Sequence, residues 1–248
     1  MRISRIYLPL EQNDVLTNIS IVGDKAHYIK NVLRLKVNHV IHFFIPAGIE
    51  FKAIVAAISK HEVVLHEIHP ISQQQQATTL NTTLIQGISS SDRMDYSIQK
   101  AAELGCMQVI PVLTDFCSQK IALHKRTKKQ QHWQAVSISA CEQSGRVDLM
   151  QVTPIQTLQQ AIKSISKAIY LEPNADHFLN QLPVAYQQQQ TIIIGPEGGF
   201  SPLEIDHFET NKYLGVQLGP RVLRTETVAP VILAALHALY GDFNPPTE

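Results

Sequence analysis

The chain has 248 residues, 44% hydrophobic and 17% charged, which gives ample core for one large or two small domains and marks an ordinary soluble globular protein. Its 21 Lys+Arg balance 21 Asp+Glu, excluding a chain coated in positive potential. The charge is polarised along the sequence: residues 1–146 hold sixteen Lys/Arg against eleven Asp/Glu (+5), and residues 147–248 hold five against ten (−5). Such polarity suggests that the first part faces an anionic partner such as nucleic acid; chance variation among solvated faces is the alternative.

The opening MRISRIYLPLEQ lacks a sustained apolar stretch, so no signal peptide is expected. Residues 1–70 read as a small β-rich domain. VIHFFI (40–45), FKAIVAAI (51–58) and EVVLHEI (62–68) are strand-like, with Pro46-Ala47-Gly48 as a turn. One helix interrupts them, DKAHYIKNVLRLK, with Asp24 as N-cap and Ala26, Ile29, Val32 and Leu33 on one face. Lys25, Arg34 and Lys36 then occupy polar positions, with Arg2 and Arg5 in a strand distant in sequence. Six of the eleven histidines lie in this region without metal-ligand spacing and read as surface or strand residues.

HPISQQQQATT (69–79) is a polar linker, and the domain boundary is placed at residue 72. Beyond it strands are expected near 80–88, 107–113, 168–171, 191–195 and 213–218. Helices are expected near 92–104, 127–142, 155–166, 202–210 and 225–240, the first closed by Gly105. The second glutamine run, 187–190, reads as an exposed loop. This alternation predicts an α/β domain with a mostly parallel sheet, whose ligands bind beyond the carboxyl ends of the strands. The chemistry is therefore expected in LEPNA (171–175), GPEGGF (195–200) and LGPRVLRTET (218–227). Cysteines 106, 117 and 141 lack C-x-x-C spacing and read as reduced, buried thiols of a cytosolic protein, not a zinc site. The longest apolar run, VAPVILAALHALY (228–240), is too short to span a bilayer.

In TIIIGPEGGFSPLEI (191–205) a strand runs into a glycine-rich turn and then into a helix start, with Ser201 as N-cap and Pro202 at the first helical position. The turn has no Gly-Lys-Ser/Thr ending and does not fit G-x-G-x-x-G, and Glu197 would repel a polyphosphate. It suits a neutral or cationic ligand, or is a tight turn holding nothing. In LGPRVLRTET, Arg221 and Arg224 project to one side if 221–224 is a helical turn, and Thr225 caps the last helix. Two guanidinium groups above a strand end suit a phosphate or an electron-rich base; the alternative is ion pairing with Glu226 and nearby acids.

IGPEGGFS and LGPRVLRTETVA together resemble the paired signatures of the ribosomal RNA small subunit methyltransferase E family, of the SPOUT class of knotted methyltransferases. MRISRIYLP, HYIKNVLRLK (27–36), MDYSIQKAAELG (94–105) and SACEQSGR (139–146) resemble further family segments in family order, so the likeness covers nearly the whole chain. The resemblance implies a PUA-like RNA-binding β-barrel over 1–72 and a SPOUT methyltransferase domain with a deep trefoil knot over 73–248. It implies a homodimer that uses S-adenosylmethionine, without metal, to methylate N3 of a uridine in the decoding region of 16S ribosomal RNA, in the cytoplasm and without a membrane partner. Carried over by motif, Leu171, Glu172, Gly195, Pro196, Glu197, Gly198, Leu218, Gly219, Val222 and Leu223 would hold the cofactor, a sulfonium cation with a neutral adenine. Arg221 and Arg224 would anchor base or phosphate, with Glu226 and Glu142 as competing proton acceptors. Arg2, Arg5, Arg34 and the segment Glu142, Gln143 and Arg146 would contact RNA. A non-catalytic RNA-binding assembly factor is the alternative, disfavoured because both signatures are intact. An amine methylase is disfavoured because FNPPT (243–247) lacks the aromatic of that motif and trails the last helix.

Overall fold

The computed structural model describes residues 3–14, 17–71, 80–186 and 189–244. Arg2, the linker at 72–79 and Pro245–Pro246 lie outside the described residues. The chain divides into two compact units, Met1–Gln75 with Cys141–Leu149, and Gln76–Ala140 with Met150–Glu248.

The first unit is built on strands β1 (Ser4–Tyr7), β2 (Asn18–Val22), β3 (Val40–Phe44), β4 (Glu50–Ile58) and β5 (Glu62–Pro70), with helix α1 (Gly23–His27). They form one sheet in the order β1-β3-β4-β5-β2, parallel between β1 and β3 and antiparallel elsewhere. Among the described residues no hydrogen-bonded pairing joins β2 to β1. Period-two alternation buries Ile19 and Ile21 of β2, and Phe43 stacks on Phe51 at 5.1 Å.

The helix departs from its expected form. Val22, not Asp24, precedes the first turn, and no side chain caps it. Residues Tyr28–Val32 continue in wider turns, with Leu33 N–H donating to Tyr28 C=O, five residues back. That widening removes Val32 from the buried face of Ala26 and Ile29, leaving it 59% exposed.

The second unit alternates strand and helix: β6 (Asn81–Gly87), α2 (Ser91–Glu103), β7 (Gln108–Leu113), α3 (Leu123–Ser144), β8 (Gln151–Val152), β9 (Gln156–Thr157), α4 (Leu158–Ile162), β10 (Ile169–Leu171), β11 (His177–Phe178), β12 (Gln189–Ile194), α5 (Pro202–Thr210), β13 (Leu214–Gln217) and α6 (Thr225–Tyr240). The last turn of α3 is counted with the first unit. Eight parallel strands run in the order β11-β13-β10-β12-β6-β7-β8, with β9 beside β7. Three consecutive isoleucines, 192–194, are buried in central β12, because a parallel strand is covered on both faces. Leu158, Ala161, Ile162 and Phe208 of α4 and α5 pack against Ile85, Ile110, Tyr170 and Ile193. Alternation turns Ile192 and Ile194 to the other face, and α6 packs on β12 and α2.

The two-residue strands β8, β9 and β11 were not expected; segments so short carry no periodicity. Gln190 is a second departure. It belongs to β12, opposite Thr82 of β6, and is only 2% exposed, where an exposed loop was expected. Neighbouring strands override the polar composition of the glutamine run. Among the described residues no helix is long and apolar enough to cross a membrane.

Candidate functional site

Strands β13, β10 and β12 are neighbours in the sheet, so the loops leaving their carboxyl ends meet. They surround a cavity of about 340 Å³, together with the start of α6 and Arg93 of α2. Leu171, Glu172, Gly195, Pro196, Glu197, Leu218, Gly219, Val222 and Leu223 all line it, and so do Arg221 and Arg224. Gly198 does not. Its missing side chain faces Phe116, whose Cβ and C=O would lie 2.9 and 3.1 Å from an added Cβ.

Glu197 has a partner the sequence did not disclose. Its Oε1 accepts from the Ser90 N–H (3.2 Å) and from Arg93 Nη1 (2.7 Å), at the start of α2. Burial opposes its charge, but hydrogen bonds from its own N–H, the Ser90 N–H and Arg93 outweigh that and hold the carboxyl below the ordinary range. The loop carboxylate thus serves as a remote anion at a helix N-terminus and pins the glycine turn to α2. Behind the turn, a Cβ on Gly87 would meet Pro196 Cδ and N at 2.6 Å, so β6 and the loop approach as only glycine permits.

Ser201 and Glu204 form a reciprocal capping box that starts α5, as the motif indicated. At α6 the cap is different. Residues 221–224 are not a helical turn, Arg224 is the N-cap, and Thr225 is the first helical residue. Buried Thr225 donates its hydroxyl to Gly195 C=O (2.7 Å) and accepts from Gln86 Nε2 (3.2 Å), joining α6, the glycine turn and β6. Gln86 and Thr225 escape a sequence reading because their partners lie 139 and 30 residues away.

The alternative reading of the two arginines, ion pairing with Glu226, is not met among the described residues. Among the described residues neither Arg221 nor Arg224 makes an ion pair, and Glu226 lies 3.5 Å from Arg93 Nε instead. Arg93 therefore stands between Glu197 and Glu226, a position no motif singled out. Two uncommitted guanidinium groups at a cavity mouth suit a planar, electron-rich or anionic ligand. Among the described residues no group of three or more His, Cys, Asp or Glu could hold a metal ion.

The residues read as RNA contacts in the first unit are mostly committed elsewhere. Arg5 bonds Glu50 through Nε (2.8 Å) and Nη2 (2.6 Å). Glu142 Oε1 accepts from the Tyr7 N–H and from Lys25 Nζ, both at 2.8 Å, and its side chain is 8% exposed. Arg146 forks onto Asp148, with Nε bonding its C=O (2.6 Å) and Nη2 its carboxylate (3.0 Å). Arg34 and Gln143 are exposed, Arg34 in a left-handed backbone conformation (φ 53°).

One unit is thus a doubly covered parallel sheet with a ligand-sized cavity at its strand ends, and the other is a small β sheet. The RNA methyltransferase domain family matches residues 76–237, and the RNA methyltransferase PUA domain family matches residues 21–68. The ribosomal RNA small subunit methyltransferase E of Buchnera aphidicola is 31% identical, covering 98% of this chain and 99% of its own. The solved enzyme of that name from Neisseria gonorrhoeae, bound to S-adenosylmethionine, is 32% identical over 98% of this chain and 100% of its own, with a TM-score of 0.91. A methyltransferase from Legionella pneumophila, solved with the same cofactor, is also 32% identical over the same shares, with a TM-score of 0.90. The chain belongs to the ribosomal RNA small subunit methyltransferase E family.

Proposed function

We propose that this methyltransferase transfers a methyl group from S-adenosylmethionine to N3 of one uridine in the decoding region of 16S ribosomal RNA. The observation that carries the reading is the meeting of the three strand-end loops around one cavity, with Arg221 and Arg224 unpaired at its side. The cavity, about 340 Å³, falls within the usual size of small-ligand sites. Its donor set fits a cation with a neutral base: glycine backbone, apolar Leu171, Leu218, Val222 and Leu223, and the carboxylate of Glu172. These residues, with Gly195, Pro196 and Gly219, would hold the cofactor, while Glu197 and Gly198 brace the glycine turn from behind. S-adenosylmethionine supplies an electrophilic methyl group on a sulfonium sulfur.

The protein must then place a nucleophile. Uracil N3 carries a proton at neutral pH, and its loss puts negative charge on the flanking carbonyl oxygens. Arg221 and Arg224 stabilise that charge with planar, bidentate donors. Glu226, which does not itself line the cavity but follows the lining residue Thr225 and is held near Arg93, would accept the proton. Glu142, the competitor, belongs to the first unit and already bonds Tyr7 and Lys25.

The reading extends to a trefoil knot in the SPOUT manner, a homodimer, a cytoplasmic location and an assembled small subunit as substrate. It also divides the labour at residue 72, with RNA docking before it and methyl transfer after it. Mass mapping of methylated 16S nucleosides from cells with and without the gene tests the activity. Loss of 3-methyluridine without the gene is expected; an unchanged nucleoside profile rejects the reading.

A further inference from the structure

The surplus of positive charge in the first 146 residues comes from one short stretch. Residues 1–115 hold ten Lys/Arg against ten Asp/Glu, residues 116–141 hold five against none, and residues 142–146 hold one of each. The five are Lys120, Lys125, Arg126, Lys128 and Lys129, on the approach to α3 and its first two turns. All five belong to the second unit.

Helix stability does not explain them. The first turn of α3 contains no acidic residue, so its positive helix end meets basic side chains. Lys125 with Lys128, and Lys125 with Lys129, are like-charge neighbours on the helix surface. Lys120, Lys125 and Lys128 are exposed, and among the described residues none of the three is in an ion pair. Where the basic stretch ends α3 meets an acid of α2, His132 Nε2 lying 2.8 Å from Asp95.

The surface adjoins the cavity. Lys129 Nζ donates to Ser91 Oγ (2.6 Å) at the start of α2, the helix whose Arg93 lines the cavity. Ser118, two residues before Lys120, donates to Glu197 Oε2 (3.5 Å) on the glycine turn. Phe116, which packs against Gly198, is 48% exposed and offers an aromatic face at the same edge. Unpaired lysines beside an exposed aromatic and a cavity mouth are the chemistry that holds a nucleic-acid backbone while one base enters a site.

We infer that the exposed basic face of Lys120, Lys125 and Lys128 is a docking surface for the RNA backbone next to the site. It rests on the proposed function for the identity of the RNA, and it places RNA contacts on the methyltransferase unit itself. The test compares full-length wild-type protein with Lys125→Gln/Lys128→Gln and Lys125→Glu/Lys128→Glu. Both positions are exposed, and removing positive charge near a helix N-terminus should leave the thermal midpoint unchanged or raised. Calorimetry should show unchanged S-adenosylmethionine affinity. Binding to a 16S transcript across a salt series should weaken, with the slope of log K against log salt reduced by roughly 1.5 to 2 in the glutamine variant. Unchanged RNA affinity and slope in both variants overturn the surface. If instead the variants lose only binding to phosphatidylserine-containing vesicles, the face is a lipid contact and the inference is wrong. Absence of methylation by the wild-type protein rejects the proposed function instead, and the salt slope still decides the docking surface.

Discussion

The cations of the two units do different work. In the first unit Arg5, Lys25 and Arg146 are each tied to a carboxylate, Glu50, Glu142 and Asp148 respectively, and Glu50 and Glu142 are almost wholly buried. In the second unit Arg221 and Arg224 form no ion pair among the described residues, and Lys125 and Lys128 stand on an exposed helix face. A buried pair holds a fold together because removing one partner strands the other out of water. An unpaired surface cation contributes little to stability and remains available to a ligand. The contrast separates cations that build the protein from cations that could meet a substrate, although all are alike in composition.

Breaking the comparison on the ligand side should have the largest effect. Arg221→Lys and Arg224→Lys keep the charge but lose the planar fork, so single-turnover methylation of small subunits should fall roughly tenfold to a thousandfold in each. Cofactor affinity, followed by calorimetry, should stay near wild type. Wild-type rates in both variants would leave the guanidinium groups without a part in the reaction.

Glu142→Ala breaks it on the structural side. The change strands the Tyr7 N–H and Lys25, and should cost about 2–3 kcal/mol in urea unfolding. A loss below about 0.5 kcal/mol would place this pair with ordinary surface pairs.

Gly198→Val sharpens the distinction between lining and support. The added side chain meets Phe116 rather than a ligand, so the variant should lose about 1–3 kcal/mol of stability together with cofactor affinity. Loss of affinity at unchanged thermal midpoint would instead put Gly198 at the ligand.

The smallest effect is expected at Glu197. Replacing it with Gln should cost about 1 kcal/mol at neutral pH, since a partly exposed carboxylate at a helix N-terminus contributes little more. Its folded-state carboxyl lies below the ordinary value of 4.5, so its contribution is complete above that value. It is lost as pH falls through the lower folded value. Thermal midpoints of the two proteins should therefore converge in acid, and a gap that persists there would assign the effect to packing.

The same separation governs what could be read without coordinates. Local patterns carried the alternation of strand and helix from residue 80 onward, and the capping box at Ser201 and Glu204, because each depends on residues within a few positions of one another. The three loops, and the order in which they occur, were legible for the same reason: parallel strands put their carboxyl ends on one side. The start of α1, the wide turns at 28–32, and the role of Thr225 were not, because each is set by packing or by a distant carbonyl.

Sequence by itself therefore determined the α/β class, the site-forming loops and the residue types offered to a ligand. Only tertiary structure decided which charges are committed. Glu197 meets Ser90 and Arg93 across 107 and 104 residues, Glu142 meets Tyr7 across 135, and Gln190 is buried between strands despite its polar neighbours. No periodicity of 2 or 3.6 residues records such pairs, because it reports which face of an element a side chain occupies and not what waits opposite that face.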